Sequence, residues 1–445
     1  MLANFVQEVA NAPGTATTIN LGGPPTGRRG FLAAFASGST VYYFMDDGTQ
    51  AEWGVGTVTS GTPNTLARTT VIGNTAGTTA RLNFTGTVRV YNWLPAERVV
   101  ALTPDAAAAR ATLGITDWLR LRNRIVNPAM QISQERGTAF VDCTTGSTYV
   151  IDQWIASLST TPGGTLRVQQ VASPTPAGSP FRLRATVQVA DSSIAAGDRY
   201  VIEQPIEGQM IADARFGSAS ARQLLVPFGV RSSVAGTFGV SLNAGSRSWV
   251  GTISVGAGEV NTDLLRTLVI PGDTTGTWLT DTGAAFFVRL TLAAGTTWHG
   301  TAGWQNANVL TTAAQTNFMG TGGATFELFD VGLYVDTLGA GVFPPFEVPA
   351  FDEELRRCQR YYAETESTTR FSAGGASAAG ETPVYHPAVM RVTPVVAIKT
   401  AGARTNAATV SVTALTSRVT RHFVQSTASG DTFSVGDVLT LNARL

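Results

Sequence analysis

Apolar and polar residues alternate in short runs along most of this chain, and turn-forming residues separate the runs. In residues 1–98 the runs are TVYYFMDDG, AEWGVGTV, TLARTTVIG and VRVYNWLP. Period-2 alternation over four to eight residues, punctuated by Asp-Gly and Gly-Asn, predicts half-buried strands joined by hairpins. From about residue 124 to 350 the pattern returns in TLRVQQVAS, FRLRATVQVA, RYVIEQPI, SARQLLVPFGVRS, GTFGVSLNAG, SWVGTISVG, DLLRTLVIPG, AAFFVRLTLAAG and TFELFDVGLYVD. So many closely spaced strands without long helices predict a two-sheet sandwich or jelly roll. Residues 367–445 read as a further small β domain, with VTPVVAIKT, ATVSVTAL, RHFVQS and VLTLNARL.

Two stretches break the pattern. TPDAAAARATLG has Thr103 as a helix cap, Pro104 at the first helical position, Asp105 in the first turn and Gly114 as the stop, which predicts a helix. With ITDWLRLRNR it makes residues 99–123 a linker, or a short neck in which Leu113, Trp118 and Leu121 meet around an axis. Residues 351–366, FDEELRRCQRYYAE, predict a helix with Leu355, Cys358, Tyr361 and Tyr362 on one side at spacings of three and four. There Cys358 behaves as a small buried hydrophobe, and the arginines point outward or pair with Glu353 and Glu354. The expected organisation is therefore all-β, in four parts: 1–98, a helical 99–123, a sandwich over 124–366 and a C-terminal domain over 367–445.

Composition narrows the function. Only 14% of the 445 residues are charged and the formal net charge is zero, so no basic excess exists to neutralise nucleic-acid phosphates. A charge-poor surface associates readily, which suggests burial between subunits. No apolar run reaches the roughly 18 residues of a membrane helix, and MLANFVQEVA lacks the basic start of a secretory signal. The two cysteines, Cys143 and Cys358, form neither a disulfide framework nor a zinc spacing and read as free thiols.

Catalytic signatures are absent. The three histidines, His299, His386 and His422, are far apart in sequence, and one would serve a nucleophile only if the fold brought it there. Ser377 in GGASAAG lacks a nucleophile elbow's second glycine. Asp46-Asp47 and Glu353-Glu354 read as solvated pairs; carboxylates from distant strands leave glycoside hydrolysis open. Tryptophans in turn-rich contexts stand out: Trp249, Trp278, Trp298 and Trp304 suit either core packing or stacking against sugar. Asp152 and Trp154 in YVIDQW are expected on the same side of a strand, Asp152 as a buried hydrogen-bond anchor and Trp154 in the core.

Several of these segments together resemble bacteriophage tail-fibre and related virion-fibre proteins. In residues 1–98 the matching features are the start near Arg29 and Phe31, the aromatic strand at Tyr42-Tyr43, E-W-G-x-G-T at Glu52 to Thr57, and T-L-x-R-T-x-V at Thr65 to Val71. The alanine-rich linker is similar as well. RNRIVNPAMQISQERGTAF followed by YVIDQW resembles the opening of a carbohydrate-binding-module-like jelly roll in such fibres. ELRRCQRYY is similar to the motif that follows it, and YHPAVMRVTPVV resembles a strand of a fibre tip. The jelly roll departs from the pattern at its end, where VGLYVDTLGAG stands in place of Q-x-E-x-G.

The resemblance implies a non-enzymatic structural virion protein, a homotrimeric tail fibre or spike subunit. Residues 1–98 would join tail, baseplate or portal-proximal proteins, and the distal domains would contact host-surface polysaccharide. It implies no cofactor, no nucleic-acid partner and no membrane insertion, with synthesis in the host cytoplasm without a signal peptide; structural calcium stays open. The alternatives are a purely architectural subunit and a polysaccharide-cleaving tailspike. The expected ligand contacts are Tyr385, His386, Arg391 and Phe423 in the C-terminal domain, supported by Phe371, Arg370 and Arg421. Trp278 and Trp298 are the competing site; the expected structural residues are Asp152, Trp154, Cys358 and Tyr361.

Overall fold

Strands form where the alternation is cleanest. In the strand Ala51–Thr59 every second residue from Glu52 to Val58 is buried, and Thr40–Asp46 repeats the pattern. The structure is a computed structural model describing residues 1–100, 121–159, 163–337 and 339–445. It divides into two units, Met1–Asp117 and Trp118–Leu445.

The first unit is built on a six-stranded antiparallel sheet, in the order Gln7–Asn11, Thr87–Tyr91, Thr40–Asp46, Ala51–Thr59, Thr65–Asn74 and Thr18–Asn20. Its core holds Ile19, Tyr43, Met45, Val58, Leu66, Phe84 and Val90. Two motif residues meet inside it. Glu52 and Arg68, both with fully buried side chains, form an ion pair, and the Tyr43 hydroxyl donates to Glu52 at 2.7 Å. Arg68 also donates to the Gly14 and Ala16 carbonyls at 3.1 Å, so the desolvated charges are matched by hydrogen bonds. The motif glycines have a steric cause: a Cβ at Gly54 would lie 2.1 Å from the Thr70 carbonyl oxygen, and one at Gly56 2.5 Å from that of Ala67. Residues Ala96–Val100 are helical, so the β pattern ends slightly before residue 98. The expected helix from Thr103 and the neck contacts of Leu113 and Trp118 fall on residues 101–120, outside the described residues.

The second unit contains the sandwich. One sheet runs Leu264–Ile270, Leu224–Ser232, Thr325–Phe329, Phe181–Val189, Thr165–Ala172 and Val141–Cys143, with Tyr334–Val335 added beside Leu224–Ser232. The other runs Gly303–Gln305, Ser248–Val255, Gly236–Asn243, Ala284–Ala294, Arg199–Glu207, Trp154–Ser159 and Gly146–Ile151. All pairings are antiparallel. One apolar core fills the space between the sheets, including Trp154, Tyr200, Phe238, Phe286 and Phe326.

Three local expectations are corrected. Asp152 and Trp154 do not share a strand: Gly146–Ile151 and Trp154–Ser159 form a hairpin whose tight corner is Asp152-Gln153, with Gln153 at φ +67°. The helix expected over 351–366 stops at Gln359, and Tyr362 begins the strand Tyr362–Ala373, paired from Asn442 to Gly430. Sheet pairing outweighs the helical spacing of Tyr362 there. Glu354 is 2% exposed, not solvated, and accepts from the Asn127 backbone N–H.

The C-terminal part of this unit stacks two small sheets. One joins Tyr362–Ala373, Gly430–Asn442 and Val395–Thr400, with Ala403–Thr405 beside Gly430–Asn442. The other joins Ala379–Tyr385, Val419–Ser426 and Ala407–Ala414.

Candidate functional site

The three-stranded C-terminal sheet assembles an open group of ligand-type side chains. Its register sets Tyr385 opposite Val419, Pro383 opposite Arg421 and Glu381 opposite Phe423. On the far side, Arg421 faces Thr413 and Phe423 faces Ser411. Because successive side chains point to opposite faces, Tyr385, Glu381, Arg421, Phe423, Ser411 and Thr413 share one outer face. Tyr385 is 75% exposed. The Arg421 guanidinium lies 5.8 Å from the Phe423 ring centroid and 3.3 Å from Glu381. An ion pair this exposed adds little stability, so its charges remain available to a ligand. Flat rings beside a cation, a carboxylate and two hydroxyls suit a polyhydroxylated ligand, which has apolar C–H faces and hydroxyls at its edges.

The opposite face of this sheet is polar and buried. His422 Nδ1 lies 2.8 Å from Ser367 Oγ and 3.1 Å from Thr369 Oγ1, while Nε2 is 3.0 Å from Asp437 Oδ2. Asp437 also accepts from the Ser434 hydroxyl and the Gly402 N–H. The fold thus brings a histidine to a serine and an aspartate, but His422 and Asp437 are fully buried and Ser367 is 5% exposed. Substrate has no path to Ser367 in this arrangement. Burial holds the His422 imidazole below its usual pKa, against the opposing pull of Asp437. Burial pushes Asp437 up, but hydrogen bonds from Ser434 and Gly402 outweigh it and hold the carboxyl low.

The other expected contacts are dispersed. His386 Nε2 is 2.9 Å from Thr420 Oγ1, and partial burial lowers its pKa. Arg391 donates to the carbonyls of Ala443, Thr282 and Arg444, so its guanidinium ties the chain terminus to the sandwich rather than facing a ligand. Arg370 pairs with Asp431 at 2.6 Å on the neighbouring sheet, and Phe371 packs over Gly380. Trp278 and Trp304 meet each other and Phe216 edge-on, and their N–H groups donate to the Thr275 and Pro271 carbonyls. Trp298 donates to the Gly197 carbonyl at 2.8 Å beneath Arg199. Trp249 is 7% exposed. The indole donors of Trp278, Trp298 and Trp304 are therefore committed to backbone, and Trp278 and Trp304 form an aromatic plug.

Among the structural residues, Asp152 accepts from Gln134 N at 2.9 Å, and burial raises its pKa. Trp154 is 1% exposed and donates to the Asn127 carbonyl at 3.1 Å. Cys358 and Tyr361 pack with Val126 and Ile132. Burial raises both the Cys358 thiol and the Tyr361 phenol well above their ordinary values. Sequence reading passed over Glu381, although counting by twos from Tyr385 through Pro383 reaches it. Among the described residues no three His, Cys, Asp or Glu side chains gather as metal ligands, and no helix is long and apolar enough to cross a membrane.

The described chain is thus an all-β protein with a two-sheet sandwich and an open, mixed aromatic and charged C-terminal face. No protein-family model matches it and no curated protein matches it. Solved structures it is similar to include a family 11 carbohydrate-binding module from Clostridium thermocellum in complex with a beta-1,3-1,4-mixed-linked tetrasaccharide (11% identity, 43% of this chain, 97% of that chain, TM-score 0.23). A putative sugar binding protein from Bacteroides thetaiotaomicron is similar at 10% identity over 48% of this chain and 100% of its own, with a TM-score of 0.28. The enzymatically active domain of bacteriophage CBA120 tailspike protein 4 is similar at 13% identity and a TM-score of 0.24, over 48% of this chain and 21% of that chain. At these values the likenesses assign no function.

Proposed function

We propose that this protein is a virion fibre or spike subunit that attaches to its particle through residues 1–98 and binds host-surface glycan without cleaving it. The observation that carries the binding role is the outer face of the C-terminal sheet, where exposed Tyr385 shares a face with Phe423 and the surface Arg421–Glu381 pair. The virion role is supported by the motif resemblance along the chain, and by the ion pair that joins two attachment-like motifs through Glu52 and Arg68. The buried setting of His422 and Ser367 supports binding over hydrolysis.

The test is adsorption of purified protein to host cells, comparing the native chain with a Tyr385→Ala/Phe423→Ala variant and assaying host polysaccharide for released reducing ends. Loss of adsorption in the folded variant without reducing-end release supports the reading. Undiminished adsorption moves the contact elsewhere. No adsorption by the native chain favours an architectural subunit, and released reducing ends favour a cleaving tailspike.

A further inference from the structure

The two motifs that flank the sandwich converge on a second, chemically different cleft. Arg122 and Arg124 come from the RNRIVNP segment; Arg357 and Arg360 come from the helix Phe351–Gln359 and the residue that caps it. All four line one open cleft of about 260 Å³, together with Met210 and Tyr361, a volume just under the roughly 300 Å³ lower end of drug-sized ligand sites.

Three of the four cations have partners. Arg124 pairs with Asp213 at 2.5 Å, Arg357 with Glu354 at 2.8 Å, and Arg360 with Glu207 through two bonds of 2.9 Å. Arg122 is exposed and has no ion-pair partner among the described residues. Among the described residues, four guanidinium groups therefore line the cleft against three paired carboxylates, and the exposed Arg122 carries the unpaired positive charge. Burial lowers the Arg124 pKa, Asp213 opposes that shift, and the neighbouring cations Arg122 and Arg357 add to it. An anion beside Arg122 would pair with that charge. A planar carboxylate matches the guanidinium fork, while the partly buried Met210 side chain gives a small apolar contact beside it.

We propose that this cleft binds the carboxylate of an acidic saccharide, as a site separate from the Tyr385 face. The assignment of a saccharide rests on the glycan reading above; the assignment of an anion rests on the charge count.

Titration calorimetry of the full chain tests it with three probes: an oligogalacturonate trimer, its neutral galactose counterpart and inorganic phosphate. The expected result is binding of the acidic trimer that falls at least tenfold in Arg122→Gln and at least tenfold with the neutral trimer. Partial recovery is expected in Arg122→Lys, which restores charge without the fork. Arg122 is exposed, so its substitution leaves the fold intact, and circular dichroism checks this. Equal binding of the neutral trimer, or no loss in Arg122→Gln, overturns the proposal. Phosphate binding as tightly as the trimer, lost in Arg122→Gln, overturns the saccharide assignment. A Tyr385→Ala chain should retain trimer binding, so failure of the surface site and failure of this cleft read out separately.

Discussion

The backbone N–H of Asn127 donates to the Glu354 carboxylate at 2.5 Å, across 227 positions of sequence. This bond joins the segment that opens the sandwich to the helix that follows it. Asn127 adopts φ +56° and turns its side chain inward. Its Nδ2 donates to the Ile132 and Asp152 carbonyls at 2.7 and 3.1 Å, and its Oδ1 accepts from Ile132 N at 3.0 Å. Its own carbonyl accepts the Trp154 indole N–H. One residue thus anchors the opening segment, the Asp152 corner and the docking helix, and Arg357 reinforces the joint by donating to the Ile125 carbonyl at 2.7 Å.

Asn127→Ala should therefore destabilise the larger unit by about 3 kcal/mol or more. The substitution strands several buried donors and acceptors, at roughly 1–3 kcal/mol for each group left unsatisfied, and puts a non-polar side chain at a left-handed position. Asn127→Gly relieves the backbone but restores none of the side-chain bonds, so it should recover only part of the loss. Urea unfolding followed by Trp fluorescence measures both; a loss below about 1 kcal/mol in Asn127→Ala would show that this hub is dispensable.

The docking helix makes a companion case. Glu354→Gln keeps the shape but removes the charge that meets both Asn127 N–H and Arg357. Removing one partner of a buried pair leaves the other uncompensated, so a loss of about 1–3 kcal/mol is expected. Arg356→Gln has no such partner among the described residues and serves as a near-neutral control. Thermal unfolding of the two variants side by side should separate them.

How much of this was legible in sequence follows from where each signal resides. Alternation located the sandwich strands and those of the C-terminal sheet, because period 2 is local: Arg421 and Phe423 point one way, His422 and Val424 the other. The burial of Glu354 had no local signal, since its partner lies 227 positions away. Asp152-Gln153 carries none of the glycine or asparagine that marks a tight corner, and only the Asn127 and Gln134 contacts show why the chain turns there. The end of the docking helix was obscured because Tyr361 and Tyr362 continue the helical spacing, while the pairing of Tyr362 with Asn442 ends it. The Tyr385–Phe423 face was half legible: the residue types were found, but the register separated them from His386 and Arg391.

Acid should loosen the C-terminal sheets. His422 faces Ser367 and Thr369 from one strand and Asp437 from another, with Arg404 also nearby; His386 contacts Thr420 on the same small sheet. Both imidazoles have folded-state pKa values below the usual 6.5. Below that pH the unfolded chain takes up protons that the folded chain resists, so stability falls as pH drops from about 7 towards the folded values. Asp437 adds a second, lower step: its carboxyl is held below 3.8, so its contribution persists above that pH and is lost as the pH falls through the folded value. Hydrogen exchange at pH 7 and pH 5, each corrected for the intrinsic amide exchange rate at that pH, should show lower protection in Val419–Ser426 and Gly430–Asn442 at the lower pH. His422→Gln should flatten the difference between these two pH values, and an unchanged difference would assign it to other groups.

The last prediction concerns assembly. The chain is charge-poor overall, and the C-terminal sheets, besides burying Val424, Leu439 and Leu441, leave apolar side chains outside: Val395 is 76% exposed, Val435 37% and Leu415 54%. Exposed apolar side chains of this kind are covered at low cost by another copy of the chain. A homotrimer is the expected state, and light scattering should give three times the chain mass across a wide concentration range. A trimer would also set the strength of the proposed glycan binding. A single Tyr385–Phe423 face offers a small contact, but three linked copies raise apparent affinity by a factor on the order of 10²–10⁴ when the surface presents repeated sugars. Val395→Glu places a charge on the apolar surface without touching the proposed ligand face. It should lower the measured mass to that of a monomer and reduce adsorption to a multivalent glycan surface by that factor, while leaving the affinity for a short soluble oligosaccharide unchanged. If the monomeric variant adsorbed as well as the native chain, the avidity account would fail; if the native chain were itself monomeric, so would the trimer.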